Sequence, residues 1–286
     1  MMSKVFYKFK QKWAQYRYRF VPWIALTLNK RSARTVNKGH RDKLIPDEAV
    51  HISILDLFER FHQFYPADEK VCLSAAYRAL GDRNPAHIAK HNLLVTEKHL
   101  GFKVEKRRST LPHGGMGVFV TSGRVPPGAV VSFYPGTVYY PHEAILFQSI
   151  GNPFILRCID GVLIDGNDRS LSKMIFNSCS QRDRRGPFYT CDSSWLTDFP
   201  QNPLAIGQYV NNHTKEFPAN VVYQEFEVPV GFPFHLKQFI PNVFYSSQIT
   251  EDPASPLRCL RLVVLVSIRE IQAGEELFSS YFTVVC

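Results

Sequence analysis

Residues Leu260-Arg-Leu-Val-Val-Leu-Val-Ser-Ile268 constrain the fold more than any other stretch. Apolar, largely β-branched side chains fill consecutive positions, so neither the helical nor the alternating period is present. A run of this length and texture reads as a strand buried on both faces, inside a sheet that other elements cover. Gln272-Ala-Gly-Glu-Glu276 then reads as a turn, and Leu277-Phe-Ser-Ser-Tyr-Phe282 follows it. Terminal segments commonly fray. One this apolar, with a phenol at Tyr281, is expected to be tied into a core or a site.

The rest of the chain sets the bounds. Its 286 residues suffice for one sizeable domain and a smaller one. No apolar run approaches the roughly eighteen residues of a membrane span, so no transmembrane span is expected and the reading is a soluble protein. Cys72, Cys158, Cys179, Cys191, Cys259 and Cys286 are scattered, with no Cys-x-x-Cys pair. That pattern argues against a structural zinc cluster and against a secreted disulfide scaffold. It favours reduced thiols in an intracellular protein.

The net charge of +9 is unevenly placed. Residues 1–43 carry twelve Lys/Arg and the single acid Asp42, and this +11 leaves −2 for the remainder. A nucleic-acid reading taken from the total would therefore misplace where the protein acts. The same arm interleaves its cations with Phe6, Tyr7, Phe9, Trp13, Tyr16, Tyr18, Phe20 and Trp23. Three readings stay open: a mitochondrial presequence, a basic arm for nucleic acid or an anionic membrane, and a helix that packs its aromatics on the body. The location is read as intracellular, mitochondrial by the arm, with nucleus or cytoplasm as the alternative.

Pro46-Asp47-Glu48 opens a helix, with Val50, Ile54, Leu57, Phe58 and Phe61 at helical spacing. A second helix is expected from Asp68 to about Leu80, and a third from Asn84-Pro85 to Leu100-Gly101, where glycine suits a left-handed cap. His87 and His91 stand at i, i+4, yet no third ligand is evident and surface histidines are the simpler reading. From Lys103 onward short strands alternate with Gly and Pro turns, which indicates a mainly β domain. Polar stretches at 167–205 and 232–256 interrupt it. The organisation expected is an N-terminal arm over 1–43, a helical unit over 44–100 and a β-rich domain over 101–286.

Gly114-Gly-Met-Gly117 precedes a β run. Glycines there permit close approach to the main chain, although a plain turn has the same signature. Tyr134-Pro-Gly136 closes the next strand. Gly207-Gln-Tyr-Val-Asn-Asn-His-Thr214 and Pro218-Ala-Asn220 come later, and the stretch ending in Tyr281 comes last. In this order the pieces resemble the SET-domain protein lysine methyltransferases. Phe119 to Gly128 is similar to the family's strand and turn after Gly-x-Gly, and Ile159-Asp160 to its Ile-Asp before the insert. Ser267-Ile-Arg-Glu-Ile-Gln-Ala-Gly-Glu-Glu-Leu277 is similar to the segment leading to its catalytic tyrosine.

The resemblance implies an α+β fold: a SET-domain β-clip of short strands with a knot-like C-terminal crossing, preceded by the small helical unit. It implies S-adenosyl-L-methionine as methyl donor. Main chain at Met116 and Gly117 would hold it from one side, Asn212 and His213 from the other, with Tyr134 bordering the site. Tyr281 would act at the channel where donor and lysine meet, and would touch both. Tyr223 and Ser279 would line that channel. The partner implied is a protein substrate with a target lysine, and a further protein could complete the channel. The chain differs from the family at Ser279-Ser280, where Phe-Asp is usual, and at Ala219, which separates Pro218 from Asn220. Tyr223 resembles an aromatic that favours monomethylation in some members. No cysteine-rich post-SET zinc segment is expected. A second reading is a catalytically weak or inactive SET fold that serves as a protein-interaction module.

Methyl transfer itself is an in-line displacement at a sulfonium methyl. The amine must arrive neutral and aligned, and positioning supplies most of the gain. Free lysine has a pKa near 10.4, so an apolar lining and a nearby cationic donor help it lose its proton.

Overall fold

The computed structural model describes residues 43–63, 84–143, 145–184, 189–247 and 259–280, and the backbone of short strands at 16–18, 34–36 and 282–285. The helix expected over 68–80 and the tyrosine at 281 lie outside the described residues, as does most of the arm.

The buried strand is β12, Leu260–Ser267, and it is the middle strand of a three-stranded sheet. On one edge it pairs antiparallel with β10, Val221–Val228, in unbroken register from Val221 opposite Ser267 to Val228 opposite Leu260. On the other it pairs antiparallel with β5, Val130–Phe133. Leu262 through Val266 are all buried, so both faces of the strand are covered, as its composition requires.

One cover is α1, Asp47–Gln63. Asp47 and Glu48 sit in its first turn, against the positive end of the helix dipole. Val50, Ile54, Leu57, Phe58 and Phe61 form its buried face. The Phe58 ring lies 5.8 Å from Phe133 on β5 and 5.6 Å from Phe239, so the helix joins the core of the β domain. The linker before it is held by Gln224 of β10. The Gln224 Oε1 accepts from the Leu44 and Ile45 amides, and Nε2 donates to the Ile45 carbonyl.

α2, Pro85–Leu100, shows the ends its sequence announces. Asn84 caps it by accepting from the Ala86 amide, and Gly101 terminates it at φ 77° with its N–H on the Glu97 carbonyl. Without a Cβ, glycine takes that left-handed conformation at little cost. The helix leads into β3, Phe102–Arg108, which pairs antiparallel with β4, Met116–Val125.

A third sheet holds β6 (Gly136–Tyr139), β7 (Ile155–Arg157), β8 (Leu163–Asp165) and β11 (Asn242–Phe244), in the order β11-β6-β8-β7. The short α3, Leu146–Ser149, lies between β6 and β7. The stretch 167–205, polar in sequence, contains α4, Ser170–Arg182, and a core of its own. Phe176 and Cys179 pack with Cys191, Trp195, Leu196, Ala205 and Val243. Within it Asp192 is fully buried. Its Oδ1 accepts from the Ser194 amide and hydroxyl, and its Oδ2 from the Asn202 amide at 3.3 Å. Burial pushes its carboxyl pKa up to about 6 against those hydrogen bonds.

β1 (Tyr16–Tyr18) and β2 (Arg34–Val36) flank β15 (Phe282–Val285), antiparallel on one edge and parallel on the other. Among the described residues no helix is long and apolar enough to cross a membrane.

Candidate methyl-donor site at the C-terminal crossing

After β12 the chain turns through β13, Ile271–Gln272, which pairs with the far end of β4. The segment beyond it runs back along β4. Gly274 donates to the Val120 carbonyl at 2.7 Å, Val120 donates to that of Glu275 at 3.0 Å, and Leu277 donates to that of Val118 at 2.7 Å. It then becomes β14, Phe278–Ser279, which lies parallel to β9, Asn211–Asn212. The His213 amide extends this pairing, donating to the Ser279 carbonyl at 2.9 Å. One segment is thus held between the Gly-x-Gly strand and the Asn-Asn-His strand. That is the crossing which the order of motifs implies.

Asn220 fastens it. Its side chain donates to the Glu276 carbonyl at 2.8 Å and accepts from the Phe278 amide at 2.8 Å, while its own amide donates to the Phe278 carbonyl at 2.9 Å. The buried Asn220 side chain imitates a strand edge where no strand continues. Phe217 stacks on Phe278, with ring centroids 5.4 Å apart.

Met116 is 37 % exposed at the start of β4, and its carbonyl accepts from Asn211 Nδ2 at 3.0 Å. Gly117 is buried next to it. A Cβ there would lie 2.1 Å from Glu276 Oε1 and 2.8 Å from its Cδ, so any larger residue would have to displace that carboxylate. At Gly115 a Cβ would meet nothing within 4 Å, and the main chain beside Met116 faces open space. Asn212 and His213 are half-buried on the other side of β14.

Tyr134 and Tyr223 are buried and their rings meet edge to face at 6.1 Å. The Tyr134 hydroxyl donates to the Phe154 carbonyl at 2.7 Å, and that of Tyr223 to the Val210 carbonyl at 3.3 Å, two residues before Asn212. Ser279 is 1 % exposed, and its hydroxyl has no hydrogen-bond partner among the described residues. The structure therefore gathers Met116, Gly117, Asn212, His213 and Ser279 at one crossing and places Tyr134 and Tyr223 against each other. Tyr281 falls between the last described residue of the crossing, Ser280, and β15.

Two features were not legible beforehand. The first is Glu276, whose carboxylate accepts from Ser109, Thr110 and Asn211. Adjacent glutamates in a turn signal nothing of the kind. The second is a repeated tripeptide. Ile159-Asp-Gly161 sits in the connection between β7 and β8, whereas Ile164-Asp-Gly166 ends β8 and leads directly into the insert. Asp165 there is buried, accepts from Asn152 Nδ2 at 2.8 Å, and has its carboxyl pKa raised by burial. It answers better to an Ile-Asp before the insert than Asp160 does.

Other chemical groupings carry less. Cys158, Asp160 and Glu225 come close together, but the Arg261 guanidinium bonds Glu225 at 2.6 Å, Asp160 at 2.7 Å and Glu227 at 2.9 Å. An arginine thus supplies the positive charge that these carboxylates require. His87 is exposed and His91 half-buried on α2. A cavity of about 440 Å³, the size of many ligand pockets, lies between α2, β3 and residues 195–209. Leu93, Phe199, Pro203 and Tyr209 are among its walls.

No family model matches the sequence. Over 295 residues, however, the chain is 48 % identical to SET domain-containing protein 9 of Homo sapiens, covering 96 % of each. The chain belongs to the SET domain-containing protein 9 family. The protein of that name from Pongo abelii is 60 % identical over 191 residues, 67 % of each chain. Solved structures similar to it include ctPRC2 in an autoinhibited conformation bound to S-adenosylmethionine. That match has 14 % identity and a TM-score of 0.33 over 62 % of this chain and 15 % of that one. A humanized mutant of the Chaetomium thermophilum Polycomb Repressive Complex 2 bound to the inhibitor GSK343 matches at 15 % and 0.32, over 62 % and 15 %. At those scores the SET-domain assignment rests on the relatives. The α+β architecture of short strands fits it.

Proposed function

We propose that this chain is an S-adenosylmethionine-dependent methyltransferase that acts on lysine side chains of a protein substrate. The carrying observation is the crossing. It brings main chain at Met116–Gly117 and the Asn212–His213 strand to either side of the segment that runs on to Tyr281. The open main chain at Gly115 and the exposed Met116 fit a donor lying along the start of β4. Bound there, S-adenosylmethionine would supply an electrophilic sulfonium methyl.

The protein's own part is positioning. Met116 and Gly117 present main-chain groups to the donor, and Asn212 and His213 hold it from the opposite side. The buried Tyr134–Tyr223 pair provides an aromatic wall. Such a wall disfavours a charged ammonium and so favours the neutral amine that attack requires. The Tyr281 hydroxyl orients that amine toward the methyl for in-line attack, which is where most of the rate is gained. Ser279 and Tyr223 lie on the substrate side and limit how many methyls fit. The resulting proton leaves to solvent.

Calorimetric titration of the full chain with S-adenosylmethionine and S-adenosylhomocysteine tests the reading. Binding is expected, weakened in Asn212→Ala and His213→Ala. A folded protein that takes up neither ligand refutes it. A screen of cell proteins with labelled donor then identifies the substrate, with Tyr281→Phe as the inactive control.

The buried Ser279 hydroxyl, at a position where family members usually carry Phe, favours a second reading: a SET fold of little activity that binds protein partners. Robust Tyr281-dependent methylation excludes it. For location, the basic arm supports mitochondrial import. The pairing of β1 and β2 with β15 supports an arm that remains attached afterwards. A reporter fused to residues 1–43 that stays diffuse in cells speaks against import.

A further inference from the structure

We infer that Glu276 is the positioning residue of the methyl-donor cradle: its buried carboxylate holds residues 109–117 in the geometry that receives the cofactor. The inference rests on the methyltransferase reading and adds to it a residue that contacts neither donor nor substrate.

The Glu276 side chain is 5 % exposed and forms no ion pair among the described residues. Its Oε1 accepts from Ser109 Oγ at 2.6 Å and from Asn211 Nδ2 at 3.3 Å. Its Oε2 accepts from the Thr110 amide at 2.8 Å and from Thr110 Oγ1 at 2.7 Å. The donors come from two places far apart in sequence: the loop that precedes Gly114-Gly-Met-Gly117, and the strand that carries Asn212. Asn211 Nδ2 also donates to the Met116 carbonyl at 3.0 Å, so the carboxylate reaches the cradle directly through Ser109 and Thr110 and indirectly through Asn211.

Gly117 records the same requirement from the other side. A methyl group there would clash with Oε1, 2.1 Å away, and push the carboxylate aside. The glycine that reads in sequence as room for a ligand is, in the structure, room for this carboxylate. An ionised acceptor is the suitable group, because it has no hydrogen to turn toward the Thr110 amide or the Asn211 amide nitrogen. An amide in its place would set its own N–H₂ against donors on one side.

The test uses the full chain with Glu276→Gln. Cofactor affinity, read by calorimetry with S-adenosylhomocysteine and by KM for S-adenosylmethionine, is expected to fall about tenfold or more, the equivalent of one charged hydrogen bond. At saturating donor kcat should stay within about threefold, and KM for the protein substrate should not move, since the altered group touches neither reacting atom. Glu276→Asp, which keeps the charge, should recover part of the affinity. Gly117→Ala should reproduce the Gln defect. A folded Glu276→Gln protein with unchanged cofactor affinity overturns the inference, as does a loss confined to kcat.

If the unaltered chain binds no methyl donor, the functional reading fails on its own. Amide exchange at Thr110 then decides the structural part. Faster exchange in Glu276→Gln upholds the carboxylate's hold on the loop, and unchanged exchange removes it.

Discussion

Two buried carboxylates organise two regions of this protein, and they do so over very different distances. Asp192 gathers donors from Ser194 and Asn202, all within ten residues. It folds the insert on itself. Glu276 gathers donors from Ser109, Thr110 and Asn211, between 65 and 167 residues away. It ties the C-terminal segment to the strands on both sides of it. Both exchange water for fixed dipoles, and both are costly to leave without partners. The difference lies in what their loss would release: one loop in the first case, the candidate site in the second.

Removal of each hub measures that difference. Glu276→Ala should have the largest effect. It removes the charged acceptor of four part-buried hydrogen bonds, from Ser109, Thr110 and Asn211, each worth up to roughly 1.5–3 kcal/mol. A loss of about 3 kcal/mol or more in urea unfolding is expected, together with loss of donor binding. Asn220→Ala comes next. It frees the Phe278 amide and the Glu276 carbonyl, at about 2–4 kcal/mol by the same reasoning. If either variant unfolds at the midpoint of the unaltered protein, the crossing is not held as described.

How much of this could be read from the residues follows the same division between local and distant. β12 announced itself because consecutive β-branched residues have no other use, and α2 because Asn84, Pro85 and Gly101 are local caps. Both signals act over a few positions. α4 went unread because its first turn lacks a capping side chain and its buried face mixes Ser172 and Ser180 with Phe176 and Cys179. The order of motifs disclosed the crossing and the residues beside it. It did not disclose Glu276, whose donors come together only when the loop at 109–110, β9 and the C-terminal segment meet. Nor did it show which Ile-Asp precedes the insert, since two copies stand five residues apart and only strand position and burial separate them. The strands within the arm are three residues long, too short for any periodicity to register.

The Asp192 hub should show itself through pH. Burial raises its pKa to about 6 in the folded protein, above the ordinary carboxyl value. Between those two values the folded state holds a proton that the unfolded chain has released. The group's stabilising contribution is therefore complete below the ordinary value of 3.8 and lost as pH rises through about 6. Urea midpoints measured from pH 4.5 to 7.5 should carry this downward component in the unaltered protein. Asp192→Asn, which cannot ionise, should remove it. Identical slopes in the two proteins would assign the pH dependence elsewhere. Glu276→Gln should leave the Asp192 component in place, because Asp192 draws its donors from within the insert.

The smallest effect is expected one residue away from the largest. Glu275 is adjacent to Glu276 in the same turn, but its side chain points outward. It bonds the Arg269 guanidinium at 2.6 Å and accepts from the Gln272 amide at 2.7 Å. The Arg269 hydrogen bond holds its carboxyl below the usual range. Arg269 is itself exposed, and exposed pairs of this kind contribute roughly 0–1 kcal/mol because water and salt compete for both charges. Glu275→Gln keeps an acceptor for Gln272 and removes only the charge, so its cost should stay under about 1 kcal/mol and shrink further in 0.5 M salt. Donor affinity should not change. A Glu275→Gln defect as large as that of Glu276→Gln would mean that the turn needs net negative charge rather than the particular hydrogen bonds of the buried carboxylate. The contrast between neighbouring glutamates therefore tests whether burial and geometry, not charge alone, fasten the crossing.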